Sequence, residues 1–119
     1  MHHRYAPCAL RTYRRSWGLS QRELAEILGF GDRTAVSRIE HGKRVPLLET
    51  ALACSTLFGV SLAELFPQLS LDIEEKLRAT ISGLRLGISS PTAVTELRKQ
   101  ELFSRALSRT HDEGNALAV

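Results

Sequence analysis

Cysteine is scarce in this chain of 119 residues, which contains only Cys8 and Cys54. Two thiols that lie far apart in sequence are more often small buried side chains than a disulfide, so we expect both to be free and in the core. The four histidines show no spacing that would assemble a metal site with either cysteine. The sequence therefore predicts no disulfide, no bound metal and no cofactor.

Long apolar runs are also missing, although 43% of the residues are hydrophobic. No stretch approaches the roughly 20 apolar residues that a membrane-spanning helix requires. The N-terminal stretch MHHRYAPCAL has neither the apolar segment nor the small-residue cleavage site of a secretory signal peptide. We therefore expect a cytoplasmic protein with no membrane partner.

Catalytic signatures are absent as well. The sequence shows no nucleophile with a neighbouring base, no paired carboxylates in an apolar setting and no glycine loop that would cradle phosphate. The chain is also too short for two sizeable cores. We expect one compact domain with an accessory segment, and no enzyme activity.

Positive charge is concentrated in the first part of the chain. Residues 1–44 contain nine Arg and Lys against four Asp and Glu, whereas residues 70–119 contain seven of each sign. A localised positive surface is what a polyanionic partner requires. The charge distribution therefore favours a nucleic-acid partner for the first part of the chain.

Start and stop signals divide this first part into short helices. Ser20 and Glu23 have the spacing of a capping box, as do Ser61 and Glu64, and each box predicts a helix start. Glycines and Pro67 close the segments. The predicted helices run from Pro7 to Trp17, from Ser20 to Leu28, from Arg33 to His41, from Pro46 to Phe58 and from Ser61 to Phe66.

Apolar residues recur in these segments at helical spacing and predict one small core. The residues that we expect to point inward are Leu10, Tyr13, Leu24, Ala25, Ile27, Leu28, Ala35, Val36, Ile39, Leu62, Leu65 and Phe66. At about 100° per residue, the opposite face of the third helix carries Thr34, Ser37, Arg38 and His41. Small hydroxyl side chains and arginine let a helix approach base edges closely, so residues 20–44 indicate a helix-turn-helix DNA reader.

Several motifs in a fixed order resemble the Cro and phage-repressor type of helix-turn-helix domain, often called the XRE family. They lie in LRTYRRSWGLSQRELAEILG, AVSRIEHGKRVP and LETALACSTLFGVSLAELF, which fall between residues 8 and 67. The resemblance implies an all-α fold, with a five-helix lambda-repressor-like DNA-binding domain at residues 5–67. About two further helices would follow it.

The resemblance also implies roles for individual residues. The positions that face bases in the major groove are Arg33, Thr34, Ser37 and Arg38, with Arg38 best suited to bidentate contact with guanine. The positions that bind DNA phosphates are Gln21, Arg22, His41, Lys43 and Arg44, together with the backbone amides near Gly42. Arg14 and Glu40 match a semi-buried ion pair that fixes the first helix against the third.

The turn between the second and third helices has one residue more than the commonest pattern of this family. We expect Gly31 to absorb the extra residue through its backbone freedom, and Asp32 to act as N-cap of the third helix. The helix pair should then stay intact, and Arg33 is the base-facing position that the extra residue affects most.

Residues 70–109 lie outside the resemblance. Ser70 is the expected start of a helix with an apolar stripe at Ile73, Leu77, Ile81 and Leu84, which Gly83 and Gly87 would terminate. Ser90 and Pro91 begin a second helix that runs to about Ser108. Residues 110–119 have the composition of a flexible tail.

The last predicted helix carries apolar residues on nearly opposite sides. Ala93, Val94 and Leu97 point one way, while Leu102, Phe103, Ala106 and Leu107 point the other. Either the helix breaks near Lys99 and Gln100, or its two faces contact different bodies. We favour the second interpretation, in which Leu97, Leu102, Phe103 and Leu107 contact a second copy or another protein, and residues 70–109 form an oligomerisation or partner-binding segment.

The sequence thus predicts a dimeric, sequence-specific transcriptional regulator, most simply a repressor that reads a palindromic operator in double-stranded DNA. Such a protein would be associated with the bacterial nucleoid or with phage DNA. An alternative is an antitoxin or other interaction protein, whose C-terminal helices bind a protein partner. A third interpretation is a scaffold that keeps the fold without binding DNA.

Overall fold

The computed structural model describes residues 8–87 and 93–116, with side chains up to residue 109. Within these ranges all regular structure is helical, and the predicted all-α fold is confirmed. The helices are Leu10–Ser16 (α1), Gln21–Leu28 (α2), Thr34–Glu40 (α3), Leu48–Phe58 (α4), Leu62–Leu65 (α5), Pro67–Leu86 (α6) and Val94–Ala116 (α7). The chain divides into a first unit that ends at Leu71 and a second that begins at Asp72.

The first unit has one hydrophobic core, to which each of its five short helices contributes. Its buried members are Leu10, Leu24, Ala25, Val36, Ile39, Ala51, Cys54, Leu65 and Phe66. Tyr13, Leu28 and Phe30 are partly buried against this cluster. α2 and α3 both contribute to this core and also contact each other. Their outer faces are therefore held in a fixed relation.

Both cysteines of this core are free thiols, as the sequence predicted. Cys54 is fully buried, and burial raises the pKa of its thiol to about 11. Cys8 is half-buried, and its Sγ donates to the backbone oxygen of Ile39 at 3.5 Å. Burial raises the pKa of the Cys8 thiol as well, so both side chains pack as neutral groups at pH 7.

Two apolar residues that the sequence places in the core lie outside it. Ile27 is 52% exposed and Leu62 is 37% exposed, so the prediction that they are buried is wrong. On α2 the inward direction lies between Leu24, Ala25 and Leu28, and Ile27 is more than a quarter turn away at about 100° per residue. An eight-residue helix buries only this narrow face.

The capping boxes begin α2 and α5 as predicted. The Ser20 hydroxyl accepts from the Glu23 amide at 3.0 Å, and the Glu23 carboxylate accepts from the Ser20 amide at 3.0 Å. Ser61 and Glu64 form the same reciprocal pair. The hydrogen bond from the Ser20 backbone amide, and to a smaller extent the one with the Ser20 hydroxyl, lowers the pKa of Glu23. The capping box thus keeps a charged carboxylate beside the start of the helix.

Replacing Ser20 with alanine is expected to destabilise the chain by about 1 kcal/mol, because the Glu23 amide loses its acceptor. Urea unfolding followed by circular dichroism measures the change. Ser104→Ala is the matched control, since Ser104 is exposed within α7 and alanine favours a helix interior. Equal stability of the two variants would contradict the capping role.

Pro67 has a different role from the predicted one. It ends α5, but it also begins α6, so no linker separates the two helices and Ser70 lies inside α6 rather than capping it. Phe66, with φ −128° and ψ 62°, changes the chain direction between the helices. A residue before proline is disfavoured in the helical conformation, so Phe66 ends α5. Proline is tolerated at the first position of a helix, so Pro67 can begin α6.

Helix ends elsewhere differ by a few residues from the predicted ones. α1 begins at Leu10, and the predicted start at Pro7 lies outside the described residues. Arg33 and His41 flank α3 as its caps, and α4 begins at Leu48 rather than at Pro46. Gly83 lies inside α6, which ends just before Gly87.

In the second unit, α7 is continuous from Val94 to Ala116, so the predicted break near Lys99 and Gln100 is absent. The predicted start at Ser90 and Pro91 lies outside the described residues. The backbone is helical through residues 110–116, where the sequence predicts a flexible tail. On α6, Ile81 is buried, whereas Ile73, Leu77 and Leu84 of the same predicted stripe are exposed.

Candidate nucleic-acid interface

The turn between α2 and α3 begins with a left-handed glycine. Gly29, the C-cap of α2, has φ 81°, whereas Gly31 is not left-handed. The Phe30 amide then donates to the Ala25 oxygen at 2.8 Å, which closes the end of α2. Only glycine adopts this backbone region at no steric cost, so the chain reverses direction at Gly29.

The sequence predicts Asp32 as the N-cap of α3. In the structure Asp32 lies one residue before the N-cap and still caps the helix with its side chain. The N-cap residue is Arg33, and the Asp32 carboxylate accepts from the Thr34 amide at 2.8 Å. The hydrogen bonds from the Thr34 amide and from its hydroxyl lower the pKa of Asp32. A charged carboxylate is thus kept beside the positive end of α3.

The two faces of α3 are clearly separated. Val36 and Ile39 are buried in the core, with 0% and 3% exposure. Thr34 and Arg38 are exposed on the other side, and Ser37 is half-buried there. Of the side chains that the sequence predicts to face bases, Thr34 and Arg38 are therefore exposed and Ser37 is partly exposed.

A shallow concavity of about 340 Å³ lies along this outer face. Its lining residues come from the start of α2, from α3 with its flanking caps, and from the following loop: Gln21, Arg33, Thr34, Ser37, Arg38, His41 and Lys43. Three of these side chains are Arg or Lys, and none is a carboxylate. The concavity is therefore electropositive and rich in hydrogen-bond donors.

All four predicted base-facing residues line this concavity, together with three of the five predicted phosphate-binding residues. Arg22 and Arg44 do not line it. Arg22 lies in a neighbouring depression beside Glu26 and Asp32. The Arg44 guanidinium lies over the Phe30 ring, 5.8 Å from its centroid, a cation–π contact that the sequence analysis missed.

The backbone amides that the resemblance assigned to phosphate have other partners. The Gly42 amide donates to the Ile39 oxygen at 3.1 Å, and the Lys43 amide donates to the Arg38 oxygen at 2.8 Å. Both bonds close the C-terminal end of α3. In the loop after α3, side chains such as that of Lys43 are therefore better placed to bind phosphate than these two amides.

Arg14 and Glu40 form a buried ion pair between α1 and α3. Arg14 Nε donates to Glu40 Oε2 at 2.6 Å, and Arg14 Nη2 donates to Glu40 Oε1 at 3.1 Å. Arg14 Nη1 also donates to the Leu19 oxygen at 2.8 Å. Residue exposure is 8% for Arg14 and 3% for Glu40, so water screens this pair little.

Gln21 joins the same network, which sequence reasoning did not find. Its Nε2 donates to Glu40 Oε1 at 3.0 Å. The Glu40 carboxylate thus links α1, the start of α2 and the end of α3. A side-chain bond between residues 19 positions apart leaves no local sequence pattern, and only the three-dimensional arrangement reveals it.

The imidazole ring of His41 contacts the preceding turn of α3. Its Nδ1 lies 2.6 Å from the backbone oxygen of Ser37 and 3.4 Å from the Ser37 hydroxyl. The imidazole remains exposed at the rim of the concavity, next to Lys43. The ring orientation is therefore fixed by the backbone of the same helix that carries Ser37 and Arg38.

The residues predicted to contact a partner belong to the second unit. Leu97 and Leu102 on α7 are 52% and 56% exposed, whereas Phe103 and Leu107 are half-buried. Val94 is exposed as well. Because α7 has no break, the apolar residues on its two sides lie on one continuous helix.

Among the described residues, no group of three His, Cys, Asp or Glu side chains could hold a metal ion. No helix in the described ranges is long and apolar enough to cross a membrane.

Comparison with known proteins identifies the first unit. A helix-turn-helix family model matches residues 10–65, which are the span from the start of α1 to the end of α5. The chain is 35% identical over 94 residues to the cryptic phage CTXphi transcriptional repressor RstR of Vibrio cholerae, a match that covers 79% of this chain and 78% of that protein. No solved structure matches the chain.

Proposed function

The chain belongs to the Cro and phage-repressor type of helix-turn-helix proteins, and on this premise we propose that it is a dimeric repressor that reads a palindromic operator. Membership makes it a DNA-binding transcriptional regulator and not an enzyme. The similar phage protein is a transcriptional repressor, and that similarity extends beyond the first unit, since it spans 94 residues. We therefore favour repression, in the cytoplasm on bacterial or phage DNA.

The observation that carries this proposal is the outer face of α3. Thr34, Ser37 and Arg38 lie in one electropositive concavity on a helix whose other face is buried. A helix of this width fits the major groove, where arginine donates to the O6 and N7 acceptors of guanine. In the proposed complex, Arg38 reads a guanine while Thr34 and Ser37 allow close approach.

The phosphate contacts follow from the same geometry. Lys43 and His41 line the concavity at the C-terminal end of α3, and Gln21 lines it from the start of α2. These positions would meet the two backbone ridges that flank a major groove. Their contribution should depend strongly on salt and little on sequence, because phosphate is the same at every base pair.

The dimer would form through the second unit. Val94, Leu97 and Leu102 expose large apolar surface on a continuous helix, and α6 exposes Ile73, Leu77 and Leu84. Exposed large apolar side chains are candidates for an interaction site. A second copy of the chain would cover some of them and would also match a two-fold operator, whose half-sites lie roughly 34 Å apart.

Selection of binding sites from a random DNA pool, with solution mass measured in parallel, tests the proposal. We expect a palindromic sequence to be enriched and the mass to be twice that of one chain. A single half-site bound by a monomer would contradict the dimer, and no enriched sequence would contradict base reading. Co-purification of a second polypeptide would instead favour the antitoxin alternative.

A pair of variants on α7 separates the interface from the fold. Leu102→Asp places a charge on exposed apolar surface and should give a monomer with unchanged helix content. Ser104→Asp, at an exposed polar position of the same helix, should remain a dimer. If both variants keep the doubled mass, the interface lies elsewhere.

A further inference from the structure

We propose that His41 binds a DNA phosphate only when its imidazole is protonated, so that DNA affinity falls as pH rises. The inference rests on the proposed function, because it assigns a chemical state to one phosphate contact of that site. It goes beyond that function in coupling DNA binding to proton uptake at a single named atom, Nε2 of His41.

The tautomer of His41 follows from its partners. A backbone carbonyl oxygen can only accept a hydrogen bond, so the 2.6 Å contact with the Ser37 oxygen requires a proton on His41 Nδ1. The Ser37 hydroxyl, 3.4 Å from Nδ1, can accept from the same proton or leave it to the carbonyl. In the neutral ring the second nitrogen, Nε2, then carries a lone pair and no hydrogen.

This assignment determines what His41 can bind. Phosphate oxygens are acceptors, and a neutral Nε2 is also an acceptor, so the neutral ring offers a phosphate no hydrogen bond and only a repulsive contact. Protonation at Nε2 converts the same atom into a charged donor. A charged donor to a phosphate oxygen is among the stronger hydrogen bonds in proteins. DNA binding through this residue therefore takes up a proton.

The charged side chains that line the concavity with His41 are all cations, namely Arg33, Arg38 and Lys43. Glu40, the nearest carboxylate in sequence, is buried and already paired with Arg14 and Gln21. The C-terminal end of α3 favours a cation at this position. A phosphate bound there would supply the negative charge that pairs with an imidazolium.

Fluorescence anisotropy with a mixed-sequence DNA duplex at constant ionic strength tests the inference between about pH 5 and 8. The natural chain should lose affinity by up to roughly tenfold per pH unit for each His41 that takes up a proton. His41→Gln, which keeps a neutral donor, should remove this part of the pH dependence. His41→Lys, charged throughout, should also remove it and hold the higher affinity at pH 8.

The comparison with His41→Gln isolates His41 from the other three histidines, which both chains contain. Because His41 is exposed, both variants should keep the unfolding midpoint of the natural chain. Identical pH profiles for the natural chain and His41→Gln would overturn the inference. Failure of the natural chain to bind DNA at any pH would instead overturn the proposed function.

Discussion

Replacing Glu40 with alanine is expected to destabilise the first unit by about 3 to 5 kcal/mol, the cost of leaving one partner of a buried ion pair alone. The Arg14 guanidinium would lose both carboxylate contacts at a site where it is 8% exposed. Among the described residues, the Arg14 side chain would keep only its hydrogen bond to the Leu19 oxygen. Urea unfolding at neutral pH, monitored by circular dichroism, measures the loss as a lower midpoint.

The chain contains a matched control for this experiment. Glu101 and Arg105 form an ion pair of similar length, 2.7 Å, but their side chains are 62% and 71% exposed. Glu101→Ala should therefore cost no more than about 0.5 kcal/mol. If Glu40→Ala costs as little as Glu101→Ala, burial does not strengthen the first pair. The double variant Arg14→Met with Glu40→Leu should recover much of the loss, because neither charge stays buried alone.

Local signals predicted much of the first unit, because each depends on a few neighbouring residues. Ser20 with Glu23, and Ser61 with Glu64, can be recognised by spacing alone, since a capping box always spans one helical turn. The division of α3 into a buried and an exposed face follows equally from its period. The family resemblance added the five-helix arrangement.

Predictions failed where the answer depends on packing. The apolar side chain of Ile27 predicts burial, but the neighbouring helices set the width of the buried face of α2 and leave Ile27 outside it. The sequence pattern predicts Pro67 as a helix stop, although the same residue can begin a helix when the preceding backbone turns. The contact of Gln21 with Glu40 and that of Arg44 with Phe30 join distant segments and leave no sequence pattern.

The continuity of α7 has a local explanation that the apolar pattern obscured. Lys99 and Gln100 are both strong helix formers, and the exposed pair of Lys99 with Glu96 adds a little support. Two apolar faces therefore do not require a break. They can contact two different surfaces, and in the proposed dimer the exposed Leu102 is the residue that a second copy would cover.

Replacing Arg38 with alanine is expected to weaken binding to the selected operator by about 1 to 3 kcal/mol, or roughly 5- to 150-fold. In the proposed complex, this substitution removes the two donors that Arg38 would direct at one guanine from the exposed face of α3. Affinity for a mixed-sequence duplex should change much less, because that binding comes from phosphate contacts. Titration of both duplexes by fluorescence anisotropy at one salt concentration measures the two effects separately.

Arg38→Lys distinguishes base reading from general electrostatics. Lysine keeps the positive charge in the concavity but cannot present the planar pair of donors that matches guanine. We therefore expect Arg38→Lys to lose operator preference almost as fully as Arg38→Ala while keeping the salt dependence of the natural chain. Arg85→Ala, which removes an exposed cation from α6, should keep both. If Arg38→Lys retained the full preference for the operator, Arg38 would act as a phosphate contact and another residue of the concavity would read the base.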